Sequence, residues 1–428
     1  MSKSSSQFSE IDCHSRETKT VRVIVSHPAR QGNIYYRARA AEEMGADVTF
    51  LTGLYYRPDR LPYSLLQFLP EKKKNDIEVL LEKRRIEGLN PENVVSLLGP
   101  LLELTLRPMG KYREWWSIHD WLASQWVRHN VRKTDVTVLH VFDGACQHTL
   151  RAAGRLEKSV RLMELTLPPV PGSPETATAA ALRQELNEAD FVLAQSEFSA
   201  QYMMSAGVDP KRVIRCHLGV DTKYFRPRQG LRRSGPVRFL FLGGASQRKG
   251  LAQLLRAWQL GKAAGELGNA ELILAGNRTA DLGDMLAKVP DCRSLGRVPD
   301  ENFVAFVQDA DVLVHPSWAE GGCNVVYEAL ACGLPCVVST NATSAVRNEV
   351  DGIVFPVGNV EALKESMIRV NGEPEVRSRM ALSARQRAVS LRWEKYLAKV
   401  GVIYQGLAQH ALDRSFETVQ GWNALNFD

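Results

Sequence analysis

Two glutamates eight positions apart, Glu320 and Glu328, stand in SWAEGGCNVVYEALACGLPCVVST, the first in a glycine turn and the second inside an apolar run. A carboxylate among Val326, Tyr327, Ala329 and Leu330 costs free energy unless hydroxyls or cations answer it, or unless it faces solvent from one side of an amphipathic helix. Glu320 follows the apolar strand candidate VLVHPS, and the helix expected after Gly321 and Gly322 would turn its first amides toward any anion or sugar oxygen bound there. A second group of chemically capable residues lies in GGASQRKG, where Arg248 and Lys249 precede another helix candidate. Fixed cations and amides at a strand-to-helix turn suit a diphosphate. The glycine spacing fits neither a GxGxxG dinucleotide loop nor a GxxxxGK[ST] phosphate loop, so a nicotinamide dehydrogenase and a P-loop ATPase are both unsupported.

Such residues need a scaffold, and the chain supplies runs for one. Apolar, β-rich segments end in glycine-containing loops followed by helical patterns at VRVIVS, DVTFLTG, DVTVLHVFD, SVRLMELTLP and FVLAQS, and again at VRFLFLGG, AELILAG, VLVHPS and PCVVST. Apolar strands alternating with helices predict parallel sheets covered on both faces. With 428 residues, two domains are expected. Residues 1–20 read as a disordered leader, 21–215 as a first α/β domain carrying a helical insertion, 216–395 as a second, and 396–428 as a helical tail packing back toward the first. The breaker-rich LGVDTKYFRPRQGLRRSGP marks the crossing. Open parallel sheets bind ligands beyond the carboxyl ends of their strands, where Glu320, Arg248 and Lys249 all fall.

The totals narrow the class. An apolar fraction of 44% and a charged fraction of 24% are those of a globular protein, with no run of 18 apolar residues and no signal-peptide pattern, so a cytoplasmic protein is expected. Seven scattered cysteines suit a reducing compartment, and Cys332 and Cys336 read as buried thiols. A net charge of +6 is compatible with anionic ligands or a membrane surface and does not point to nucleic acid. Asp309 and Asp311 form a DxD triplet, but they precede a strand, so a structural role is expected. In KYREWWSIHDWLASQWVRHNVRK, Trp115, Ile118, Leu122 and Trp126 can share one helical face, open to the core, a membrane surface, an acceptor groove or a partner protein.

Together, EGGCNVVYEALACGLPCVV, HLGVDTKYFRP, FLGGASQRKGLAQLLRAW, ELILAG, LGRVPDENFVAFVQDADVLVHPS and DGIVFPVGN resemble the second domain of retaining GT-B-fold glycosyltransferases. These belong to the glycogen-synthase-like and sucrose-synthase-like superfamily (glycosyltransferase family 4, group 1). The resemblance covers about residues 190 to 360, whereas the first domain matches only in outline.

It implies two Rossmann-like domains facing across a cleft, and transfer of a glycosyl group, most simply a hexosyl group, from a nucleoside diphosphate sugar to a hydroxyl acceptor. Glu328 would bind ribose hydroxyls, Glu320 would face the donor sugar with Gly322, Cys323 and Asn324 offering amides, and Lys249 would hold the diphosphate. Gly244 stands where the family commonly has an arginine, a charge Arg248 could supply. In the first domain His140, then Asp143, would lie near the transferred sugar, and Gly32 would approach the donor phosphates, with Asn33 and His27 as lesser candidates. For Glu164 a solvent-facing and a supporting role stand equal. No metal or other cofactor is required, because lysine, arginine and helix amides can balance the departing diphosphate. A nucleotide-sugar epimerase and a noncatalytic nucleotide- or glycan-binding protein are the competing readings.

Overall fold

The computed structural model describes residues 21–28, 33–60, 63–82, 88–97, 112–172, 177–230, 235–244, 246–277, 286 and 289–414. The leader 1–20 and Gly32 lie outside the described residues, as does the chain beyond Arg414.

The first domain is built on β1 (Arg22–His27), β2 (Asp47–Thr52), β3 (Val94–Ser96), β4 (Thr137–Phe142), β5 (Ser159–Leu165), β6 (Phe191–Ala194) and β7 (Val213–Arg215). They form one sheet in the order β3-β2-β1-β4-β5-β6-β7, with every pairing parallel. Its helices are α1 (Tyr35–Glu43), α2 (Glu71–Glu82), α3 (Tyr112–Asn130), α4 (Gln147–Ala153), α5 (Ala177–Glu188) and α6 (Glu197–Ser205). Successive β1 residues serve opposite faces: Val23 and Val25 join the cluster that includes Ala38 and Ala41 of α1, while Ile24 joins Ala123 and Val127 of α3. That two-sided burial is why the strands read as continuous apolar runs.

The second domain repeats the plan. Strands β8 (Arg238–Leu242), β9 (Glu271–Ala275), β10 (Cys292–Gly296), β11 (Val312–His315), β12 (Cys336–Ser339) and β13 (Gly352–Phe355) pair in the order β10-β9-β8-β11-β12-β13, again in parallel. Around them lie α7 (Leu251–Ala263), α8 (Asp300–Gln308), α9 (Asn324–Ala331), α10 (Val360–Gly372) and α11 (Pro374–Ser390). In each sheet the strand order reverses once, between β1 and β4 and between β8 and β11, and the carboxyl ends at such a reversal open into a crevice. The two sheets face one another across a cleft as expected.

The chain passes between the domains twice. The outward crossing runs through Gly219 and Val220, and the return is made at Leu391 to Trp393, where Val220 N–H donates to Leu391 O at 3.0 Å. Gly219 has to be glycine there, since a Cβ would come within 2.2 Å of the Trp393 ring. The final helix, α12 (Trp393–Asp413), then packs on α1, β4 and β5. Its Tyr396, Leu397, Val400, Tyr404 and Leu407 are buried in the first domain's core, each contributing about 1.5–3 kcal/mol by area.

The tryptophan segment is α3, and its buried face is rotated from the expected stripe: Trp115 is buried and Trp126 packs against the core, while Ile118 and Leu122 are half-buried. Trp115, His119, Ala123 and Val127 point inward, with Asp120 and Ser124 beside them, whereas Trp121 is 52% exposed. Asp120 sets this rotation: its carboxylate accepts from the N–H groups of His148 and Thr149 and from Thr149 Oγ1, answering the first turn of α4. Asp309 and Asp311 lie at the amino ends of β8 and β11, where both bond Arg238, away from the cleft. Cys332 and Cys336 are buried and unbridged. No helix among the described residues is long and apolar enough to cross a membrane.

Candidate functional site

The carboxyl ends of β8 and β11 are locked together by backbone contacts. Gly250 adopts φ 71° at the start of α7, and a Cβ on it would lie 2.1 Å from Pro316 O. Only glycine permits both the left-handed turn and the close approach. Arg248 O accepts from Trp318 N–H at 2.8 Å and from Ser317 Oγ at 3.0 Å, so the basic turn and the glutamate turn move as one piece.

Glu320 is gripped at the centre of that piece. Its Oε1 accepts from Lys249 Nζ at 2.6 Å, Ser317 Oγ at 2.7 Å and an Arg248 guanidinium nitrogen at 3.0 Å, with His315 Nε2 at 3.3 Å. Burial by itself would push this carboxyl up, but the His315 contact and the charges of Lys249 and Arg248 outweigh it and hold it well below the usual range. Burial keeps His315 neutral and pushes the Cys323 thiol up to about 12, so Cys323 is no thiolate nucleophile.

Among the described residues His315, Glu320 and Cys323 bring nitrogen, oxygen and sulfur within 4.8 Å of one another. Lys249 and Arg248 already supply the positive charge facing Glu320, so the arrangement is better suited to holding an anion than a metal ion. Gly244 leaves open space where a side chain would stand.

Glu328 is the opposite case. It lies in α9, partly buried, and its side chain carries no hydrogen bond or ion pair among the described residues. Burial alone raises its carboxyl to about 7. The amides expected beside Glu320 are partly engaged: Cys323 N–H donates to Ser344 Oγ at 3.1 Å, and the Asn324 side chain accepts from Asn33 Nδ2 across the cleft at 3.2 Å. Gly322 packs against Gln195 and Leu218.

The first domain requires corrections. His140 does not follow β4 but lies within it, fully buried. Its Nδ1 is 2.7 Å from Tyr404 Oη and its Nε2 is 3.0 Å from Glu164 Oε2, because a strand interior in a sheet covered on both faces points into the core. Asp143 does follow β4, but its Oδ1 is spent on Thr166 N–H and Oγ1, both at 2.6 Å, and burial raises its carboxyl to about 6. Glu164 is fully buried in a bidentate pair with Arg37 and also accepts from Gln195 Nε2 at 2.5 Å. Burial opposes ionisation of Glu164, yet Arg37 and His140 hold it well below the usual range.

The residue at the end of β1 is His27, buried edge-on to Phe142 at 5.2 Å and Trp116 at 5.8 Å between ring centroids. Nearby His119, 3.1 Å from Ser26 Oγ, is lowered to about 3 by burial. Arg37, Gln195, His315 and Ser317 were not singled out from the sequence. Arg37 carries no signal there, since YYRARAAEE reads as a charged surface helix.

Comparison with known proteins agrees with this geometry. Residues 236–371, from β8 to the end of α10, match the family described as Glycosyl transferases group 1. The D-inositol 3-phosphate glycosyltransferase of Thermomonospora curvata is 28% identical over 265 residues, 54% of this chain and 58% of that protein. The O-antigen chain mannosyltransferase B of Escherichia coli is 27% identical over 232 residues, 50% of this chain and 60% of that protein. The chain thus spans about half to three-fifths of the length of these curated relatives.

Solved structures match over nearly the whole fold. Sucrose-phosphate synthase from Thermosynechococcus elongatus superposes with a TM-score of 0.65 at 17% identity, covering 91% of this chain and 99% of that one. Anabaena Alr3699/HepE in complex with UDP gives 0.61 at 16% identity, covering 90% and 99%. Two Rossmann-like domains with parallel sheets facing across a cleft are the GT-B architecture, and this chain has it.

Proposed function

We propose that the protein is a retaining glycosyltransferase that moves a sugar from a nucleoside diphosphate sugar to a hydroxyl acceptor. The observation that carries this reading is the carboxylate pair on and before α9: Lys249, Arg248 and Ser317 all converge on one oxygen of Glu320, leaving the other to face a ligand, while the Glu328 side chain stands two turns away without a partner among the described residues. A nucleotide sugar answers both needs. Ribose hydroxyls would donate to Glu328, replacing the hydrogen bonds it lost on burial.

Lys249 has three donors and Glu320 takes one, which leaves donors for a diphosphate. Glu320 holds Lys249 and Arg248 in place before the ligand arrives, so charge growing on the departing diphosphate meets fixed cations at no reorganisation cost. The group 1 match over residues 236–371 and the UDP-bound structural relative support the donor side of this reading.

Binding of purified protein to UDP-, GDP- and ADP-sugars, read by native mass spectrometry with free nucleotides as controls, tests it. A preference for one sugar nucleotide, followed by a product that keeps the donor's anomeric configuration by NMR, is the expected result. Binding without transfer to any hydroxyl acceptor would favour a noncatalytic role, and no binding would overturn the reading.

A further inference from the structure

The turn that carries Glu320 is squeezed between the two domains. A Cβ on Gly321 would stand 2.0 Å from Thr166 O, and one on Gly322 would stand 2.5 Å from Gln195 Oε1 and 2.4 Å from Leu218 Cδ1. The two glycines therefore have a second reason besides flexibility: the first domain's wall lies directly against their α-carbons. That wall is stiffened from behind. Thr166 is fixed through its N–H and its hydroxyl by Asp143, and Gln195 is fixed through its amide nitrogen by Glu164.

Glu164 is held in turn by Arg37, whose third nitrogen donates to Asn33 O at 2.6 Å, and Asn33 reaches Asn324 at the start of α9. One fully buried guanidinium thus stands behind two of these three contacts, Gln195 at the glutamate turn and Asn33 at the helix after it, while Asp143 holds Thr166. Phe142 and Tyr396 flank it at 5.8 and 5.2 Å, and the group is fully buried.

We infer that Gln195 is a positioning residue for Glu320, holding the Glu320–Gly321–Gly322 turn in register with the first domain on behalf of the Arg37–Glu164 pair. This rests on the transfer reading above and assigns a task to the buried groups that the donor site leaves unused. All four groups that bond Glu320 belong to the second domain, so loss of Gln195 leaves the carboxylate's partners intact and changes only where the turn sits relative to the first domain. The consequence is a separation of binding from turnover.

The test compares wild type with Gln195→Ala and with Gln195→Met, which keeps the volume and removes the amide. In both variants kcat should fall about 10- to 100-fold, as when the turn facing the donor sugar is misplaced by roughly 1 Å, while donor affinity stays within about twofold. Backbone amides of residues 319–324 should exchange with deuterium at least about tenfold faster than in wild type. Unchanged kcat, unchanged exchange, or an equal loss of donor affinity and turnover would each overturn the inference. If the wild-type protein neither binds nor turns over a nucleotide sugar, the transfer reading falls by itself, and the exchange rates still decide whether Gln195 holds the turn.

Discussion

Glu328 is ionised at a cost. Burial raises its carboxyl from 4.5 to about 7, so the folded protein binds its proton more tightly than the unfolded chain does. The resulting destabilisation is absent below about pH 4.5, grows as pH rises toward 7 and is full above that, worth about 1–3 kcal/mol after allowing for partial exposure. Glu328→Gln should therefore raise Tm at pH 8 and lose that advantage as pH is lowered toward 4.5, while weakening donor binding at every pH; a Tm gain independent of pH would refute the assignment of burial as the cause.

Lys249→Ala is the contrasting case. Arg248 and Ser317 continue to hold Glu320, so the fold is retained, but one charge-assisted contact to a diphosphate is lost. Calorimetric titration should show affinity for a nucleoside diphosphate falling roughly tenfold or more, with the nucleoside alone little affected.

Between residues and domains, the joint between β8 and β11 depends on the turn at Gly250. A side chain there would have to adopt φ 71° and overlap the Pro316 carbonyl. Gly250→Ala should cost about 2–4 kcal/mol in urea denaturation through strain and displacement of the β11 end. Because Arg248 O bonds Trp318 N–H and Ser317 Oγ, the same change should raise the donor KM, a coupling that a helix-capping defect alone would not produce.

At the scale of the whole molecule, two domains are tied by a helix that follows the second in sequence and packs into the first. α12 follows the second domain in sequence and completes the core of the first, where Leu407 is fully buried and Tyr404 touches His140. Leu407→Ala should destabilise by about 2–5 kcal/mol. Hydrogen exchange should place the loss in β4 and β5 of the first domain, with β8 and β11 protected as before. Uniform loss of protection across both sheets would instead mean that the domains unfold as one cooperative unit.

Local pattern carried much of this. Strands buried on both faces must be apolar along their whole length, so β1, β4, β5, β8 and β11 are visible as runs, and α9 is legible as Asn324–Ala331 between a glycine turn and a glycine stop. Glu320, Lys249 and Glu328 stand out as candidates in the same stretches, because turns at strand ends are short contiguous segments. The short strands β3, β7 and β10 and the weakly amphipathic α11 are not legible in local pattern, since three to five residues or a diffuse charge pattern carry too little periodicity. What tertiary structure alone decided is burial and pairing across long separations. Arg37 meets Glu164 over 127 residues and His140 meets Tyr404 over 264, and no periodicity of 2 or 3.6 encodes either distance. His140 lies inside β4 and beneath α12 because the sheet's register, and the helix that closes over it, are properties of the whole packed chain.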